Sequence, residues 1–344
     1  MRILYIGSLS KRRNRLDGVT IKSRVLEEWL KEKKYIDLNT VDVDSWRTNF
    51  LQIISKILIN YRRSNGIIIS SSSNGAYIFL KFLYYIKCKK PIYYFVAGGM
   101  LSTMIKKGEF DSKIYKKIRK IYIEPIDMVN EMKEMGFHNV EQQNNFRKVN
   151  YRPMLRNIDK TVKFVFFSRV IKEKGIEEAI NAFADLKLRY ENISFDIYGQ
   201  VDSDYLEHLK GFFVEGVNYK GIIEPNNSDE YKVLSKYDVF ILPTYHTGEG
   251  LPGALIDAYI SGLAILVSEW KYAHQYVEDN VVGFIHRYKD YDSLCLKMEL
   301  MIKNKDIINV FKKNSYDNAK KFLIEEVIKD FEMELLKESN LNEL

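Results

Sequence analysis

Four charged side chains and a run of glycines mark where this chain could do chemistry. Glu249 and Asp257 stand eight positions apart. Glu249 lies in a stretch that also holds Gly248, Gly250 and Gly253, and Asp257 falls about one turn inside the helix expected to follow. Residues 238–268 read as a buried strand ending at Pro243, a glycine-rich loop, and a helix from about Ala254 to Ser261 that Gly262 stops. A helix amino terminus behind such a loop offers free backbone N–H groups and the positive end of the helix dipole, a seat for a diphosphate. Gly250, Leu251, Pro252 and Gly253 form that seat, and the glycines let phosphate oxygens approach the backbone. Two carboxylates beside a diphosphate repel it unless they bind something neutral, so the hydroxyls of a sugar and a ribose are their natural partners. The balancing cations stand in residues 167–176, where Arg169 closes a strand and Lys174 precedes Gly175 and a helix. A guanidinium and an ammonium aimed at the diphosphate would neutralise charge that develops on a leaving group.

The elements that must position these residues follow one pattern. Short apolar, β-type runs alternate with helical segments along the chain, as in parallel sheets covered by helices on both faces. In the first half, strands are predicted at 2–6, 39–43, 66–70, 92–96 and 120–123, with helices starting near Val19, Phe50, Gly75, Leu101 and Ile126. In the second half, strands are predicted at 163–167, 194–198, 217–220, 239–242, 264–267 and 283–285. Between the sets, 144–157 contains Asn144, Asn145, Asn150 and Pro153, lacks either periodicity, and is assigned as the link. The expectation is an α/β chain with two doubly wound, Rossmann-like domains, 1–155 and 156–320, whose ligands bind at the carboxyl ends of the strands in the cleft between them. Residues 305–336 are predicted to be helical and charged, with the segment 321–344 packing back on the first domain.

Composition narrows the function classes. At 344 residues and 46% hydrophobic, the chain is well stocked for two cores. Cys88 and Cys295 are far apart and the five histidines are scattered, so neither a disulfide framework nor a metal site is indicated. Asp202 and Asp204 have metal-motif spacing but follow the Gly199 turn, a setting that does not recommend it. The amino terminus lacks the order of charges and apolar residues of a signal peptide. The most apolar window, 77–86, is about half a membrane span. A cytoplasmic location, with possible contact at the inner face of the membrane, is therefore expected. The net charge of +7 is uneven, with Lys11 to Arg15, Lys31 to Lys34, Arg62, Arg63 and Lys113 to Lys120 all in the first third. Anionic lipid is a plausible partner for such a half; nucleic acid is not, because no nucleic-acid-binding signature accompanies the charge. Residues 51–63, an apolar run ending in two arginines, read equally as a core or an interfacial helix.

With these residues in place, the second half resembles the donor domain of the retaining glycosyltransferases of family 4 (group 1), bacterial surface-polysaccharide type. That resemblance implies the GT-B fold, two facing Rossmann-like domains with an interdomain cleft. It implies that Arg169 and Lys174 hold the donor diphosphate, and that Glu249 and Asp257 correspond to a Glu-x7-Glu pair contacting the transferred sugar and the ribose. Asp257 is one methylene shorter than the family's second Glu. Residues 123–140 with Asn145, Phe146 and Arg147 are similar to the last strand, helix and exit strand of the acceptor domain, and 268–272 with Gly283 and Phe284 to the stretch after the donor helix. Gly7 with Asp17, Gly18 and Val19 resembles the glycine loop that approaches the donor phosphates from the other domain. Gly98 and Gly99 stand in the cleft where many members place a histidine. The resemblance implies no cofactor and no metal, a nucleotide diphosphate sugar as donor (UDP favoured over GDP), and a glycan acceptor, lipid-linked or soluble, in surface-polysaccharide assembly. Two other classes remain open: a sugar-nucleotide epimerase of the same architecture, and a non-catalytic scaffold homologue.

Overall fold

Strands whose every residue is buried must be covered on both faces, which is the condition of a parallel sheet between helices. β4 (Ile92–Ala97) and β10 (Val239–Leu242) are of this kind. The computed structural model describes residues 1–224 and 228–341; residues 225–227, within the expected second domain, and 342–344, at the end of the expected terminal segment, lie outside the described residues. Two compact units are present, one formed by residues 1–146 with 324–341 and the other by 147–323.

The first unit holds β1 (Arg2–Gly7), β2 (Asp37–Asp42), β3 (Gly66–Ser72), β4, β5 (Lys120–Ile123) and β6 (Val140–Gln142) in the order β2-β1-β3-β4-β5-β6, all parallel. The second holds β7 (Val162–Phe167), β8 (Ile193–Tyr198), β9 (Val217–Tyr219), β10, β11 (Ala264–Ser268) and β12 (Gly283–His286) in the order β12-β11-β10-β7-β8-β9, again all parallel. This is the two-sheet α/β architecture expected. The eleven predicted strands occur within two residues at each end. β6 and the short helix Ser112–Lys116 are additions, each too short for periodicity to reveal.

The first sheet packs apolar residues on both faces. One side gathers Leu4, Ile67, Phe79 and Leu83; the other gathers Tyr5, Trp29, Tyr93 and Tyr122 with Ile324, Ile328, Phe331 and Leu335. The Phe331 ring lies 4.9 Å from Phe95, 5.4 Å from Tyr93, 5.5 Å from Tyr122 and 6.5 Å from Trp29, centroid to centroid. The continuous helical stretch predicted for 305–336 is instead broken into Lys305–Asn318, a 3-10 turn at Ala319–Phe322, and helices Ile324–Val327 and Lys329–Leu341. The break has a physical cause: the chain passes from the second unit to the first at Leu323, which is held in a β-bridge to Arg147, whose N–H donates to the Phe322 carbonyl at 2.8 Å.

Candidate functional site

In the second unit the sheet runs outward from β7 to β9 and then returns to β10 on the other side of β7. The carboxyl ends of β7 and β10 therefore flank the switch point where doubly wound sheets bind ligands. Arg169 follows β7 and is exposed. Lys174 ends a short 3-10 turn, and Gly175 takes φ 76° before the helix Ile176–Lys187 begins. That left-handed backbone favours glycine, and a Cβ there would also strike the Pro243 carbonyl. The tight approach brings Lys174 beside the loop after β10.

There the Lys174 Nζ pairs with Glu249 Oε2, both side chains nearly buried. The Thr244 hydroxyl lies 3.3 Å from the same carboxylate oxygen and 3.2 Å from the Glu173 carbonyl, and donates to one of them. His246 completes the cluster. Burial lowers its imidazole below the usual range, and the positive charges of Lys174 and Arg169 act in the same direction, while Glu249 opposes them. The loop is fixed from behind: Trp270 Nε1 donates to the Gly250 carbonyl at 3.1 Å, and the Ser268 hydroxyl donates to the Thr244 carbonyl.

The helix after this loop is Gly253–Ile260, with Pro252 at its amino-terminal cap and Leu251 buried beneath the turn. Its first N–H groups are free of a side-chain cap, as an anion seat requires. Asp257, one turn in, is 5% exposed and faces Arg147. Arg147 Nε donates to Oδ1 at 2.8 Å and Nη2 to Oδ2 at 3.2 Å, and the Tyr231 hydroxyl stands 3.4 Å from Oδ1. Gly253 makes room for this pair, since a Cβ there would meet Arg147 Nη2. The structure thus brings together Arg169, Lys174, Glu249 and the 250–253 turn, and gives Asp257 a protein partner of its own. Sequence reasoning did not pair Arg147 with Asp257, because nothing in local spacing joins residues 110 positions apart. Thr244 was likewise missed, one of several polar residues between Pro243 and Glu249 with nothing in the sequence to single it out.

Gly18, Gly98 and Gly99 belong to the first unit. Gly18 opens the helix Gly18–Glu32, capped by Asp17, whose carboxylate accepts from the Thr20 N–H at 2.9 Å. Asp17, Val19 and Thr20 line a cavity of about 380 Å³ at the carboxyl ends of β1 and β3, with Arg13, Arg15 and Arg47 around it. Gly98, at φ 97°, and Gly99 turn the chain after β4 and are not part of that lining. Asp202 caps the helix Ser203–Lys210 by accepting from the Asp204 N–H at 3.0 Å, which gives this acidic pair a structural role. Among the described residues no three His, Cys, Asp or Glu side chains are grouped to hold a metal ion.

Residues 149–318, almost the whole second unit, match the family model for glycosyl transferases group 1. The second unit is a glycosyltransferase domain. An uncharacterized glycosyltransferase of Methanocaldococcus jannaschii is 24% identical to the chain over 247 residues, 69% of this chain and 59% of that protein. The N,N'-diacetylbacillosaminyl-diphospho-undecaprenol alpha-1,3-N-acetylgalactosaminyltransferase of Campylobacter jejuni is 26% identical over 164 residues, 47% of this chain and 41% of that one. The matched part thus spans roughly half the length of these relatives. Anabaena HepE, solved with UDP-glucose, superposes on 98% of the chain and 100% of its own with a TM-score of 0.74 at 13% identity. The fold around the glycosyltransferase domain is accordingly GT-B.

Proposed function

We propose that the chain is a retaining glycosyltransferase that moves a sugar from a UDP-sugar to a glycan acceptor, without a metal ion, in surface-polysaccharide assembly. The observation that carries this reading is the buried Lys174–Glu249 pair beside Thr244, set against the uncapped Gly253–Ile260 helix with Arg169 exposed next to it. On donor binding, the helix N–H groups, Arg169 and Lys174 take the diphosphate. Glu249, released from full dependence on Lys174, accepts hydrogen bonds from the sugar hydroxyls. As the glycosidic bond to the diphosphate breaks, negative charge grows on the leaving oxygen, where the two cations are worth most. The departing phosphate takes the proton of the acceptor hydroxyl that attacks from the same face, so no enzyme nucleophile is used. Asp257, oriented by Arg147, offers its remaining lone pairs to the ribose hydroxyls.

The choice of UDP is supported by the UDP-glucose bound to the structural neighbour HepE. A lipid-linked acceptor and an α-linkage are supported by the activity for which the Campylobacter relative is named. Action at the inner face of the membrane is part of the same proposal. The test is nucleotide release from a panel of UDP- and GDP-sugars, with and without a lipid-linked oligosaccharide. Release that depends on acceptor is expected, and Glu249→Gln and Arg169→Ala should each lower turnover at least ~100-fold. Interconversion of the sugar nucleotide without acceptor would identify an epimerase, and inertness throughout a scaffold.

A further inference from the structure

The polar cavity of the first unit, about 380 Å³, is of small-ligand size and shares no residue with the donor seat. In this sheet β2 and β3 lie on opposite sides of β1, so the carboxyl ends of β1 and β3 flank a switch point of their own. The lining comes from those ends: Ser8 follows β1, Asp44 lies just beyond β2, and Ser71 and Ser72 close β3. Two helices begin at the same wall, Gly18–Glu32 with Val19 and Thr20, and Ser73–Tyr85 with Gly75. Ser72, the amino-terminal cap of the second helix, makes no side-chain capping bond, so the first N–H groups there are free of a side-chain cap. Two positive dipole ends thus stand at one cavity.

Charge selects what binds there. Three arginines of the lining, Arg13, Arg15 and Arg47, stand against two aspartates, Asp17 and Asp44. Both carboxylates are engaged. Asp17 accepts from the Thr20 N–H at 2.9 Å, while Asp44 pairs with Arg15 at 3.3 Å and accepts from the Ser10 hydroxyl at 3.2 Å. Arg13 and Arg47 are exposed and form no ion pair among the described residues. The Arg47 guanidinium lies 5.2 Å from the Trp46 ring, which packs against the core of the sheet, so this charge is steadied without being neutralised.

The loop that carries Arg13 and Arg15 is fixed by its neighbours. The Asp42 carboxylate, at the end of β2, accepts from the N–H groups of Leu9, Ser10 and Lys11 at 3.1, 3.2 and 2.9 Å. From the other side Arg24 donates to the Leu9 and Ser10 carbonyls at 2.7 and 3.1 Å and to Asn14 Oδ1 at 3.2 Å. These bonds hold Ser10 at φ 49°, left-handed backbone that a serine keeps only where its surroundings impose it. A loop held in this way is preorganised, so seating an anion on it requires little backbone ordering.

We infer that this cavity binds an anionic group, a phosphate or a carboxylate, carried on the saccharide acceptor. The inference rests on the proposed transfer to a glycan acceptor and adds that this acceptor is acidic. Arg13 and Arg47 take the charge, since each guanidinium matches two oxygens of such an anion. The Ser72 hydroxyl and the first N–H groups of the Ser73–Tyr85 helix supply neutral donors beside them.

The experiment is ligand-observed NMR on the full chain with glucuronate, glucose 1-phosphate and glucose, each with and without saturating UDP. Glucuronate or glucose 1-phosphate should bind with a Kd on the order of 1 mM whether or not UDP is present, and glucose at least ~10-fold more weakly. The tighter of the two anions tells a carboxylate from a phosphate. Arg13→Gln combined with Arg47→Gln, at exposed positions, should weaken the anion at least ~10-fold while the melting temperature and UDP binding stay as in the parent. UDP binding is read in the same samples, so a donor seat that takes no UDP counts against the proposed function, and the double variant still reports on this cavity. Absence of anion binding, equal binding of glucose, displacement of the anion by UDP, or unchanged affinity in the double variant would overturn the assignment.

Discussion

Arg147 and Asp257 place two full charges in an interior where each is about 5% exposed or less. A buried pair of this kind adds little net stability over an apolar substitute, yet removing one partner strands the other. Arg147→Ala should therefore cost about 3–5 kcal/mol in urea unfolding, and adding Asp257→Asn should return part of the loss. Equal instability of the single and double variants would show that packing, not charge, dominates the pair. His286 gives the residue scale a pH dependence. Its folded pKa of about 4 lies below the ordinary histidine value near 6.5, so the unfolded chain takes up the proton first as pH falls. The stability tied to this group is intact above about pH 6.5 and is lost progressively toward pH 4, by roughly 3 kcal/mol. His286→Gln should flatten that part of the stability profile, as followed by thermal melts across the range; a slope matching the parent would assign the effect to other groups.

The helix Phe50–Arg63, which its sequence left open between a core and an interfacial reading, packs one apolar row on the first sheet. Ile53 and Ile57 are buried against the first sheet, while Leu51 is 80% and Ile59 61% exposed, with Arg62 and Arg63 in the last turn. One apolar row faces the core and a second faces outward beside two arginines, a composition suited to an anionic lipid surface. No helix among the described residues is long and apolar enough to cross a membrane, so any contact made by this element would be interfacial. Sedimentation with anionic vesicles at low salt should show binding, and Leu51→Glu with Ile59→Glu should reduce it at least about tenfold. Equal binding by the double variant would move the contact elsewhere.

At the scale of the molecule, residues 324–341 fold with the first unit although the chain reaches them last. Phe331 closes an aromatic cluster with Trp29, Tyr93, Phe95 and Tyr122, so Phe331→Ala should cost about 3–5 kcal/mol. Hydrogen exchange should report the loss in β4 and β5, with β10 and β11 protected as before; uniform loss in both units would contradict the assignment of these helices to the first. The strands were legible in the sequence because full burial between helices demands apolar runs, as in 92–97 and 239–242, and because glycines at 175, 250 and 253 punctuate the turns that need them. Arg169, Lys174 and Glu249 could be proposed together from the sequence because type and order along one domain are local information. The strand β6 was too short to declare itself, and the helical break at 319–323 arises from where the chain changes units rather than from any breaker residue. By itself, then, the sequence determined the alternation and the two sheets, and singled out the charged groups proposed for the site. Only the tertiary structure decided that Lys174 meets Glu249 over Thr244, that Arg147 is Asp257's partner, and that His286 is buried, because each of these depends on residues brought together across long stretches of chain by packing, which no local pattern records.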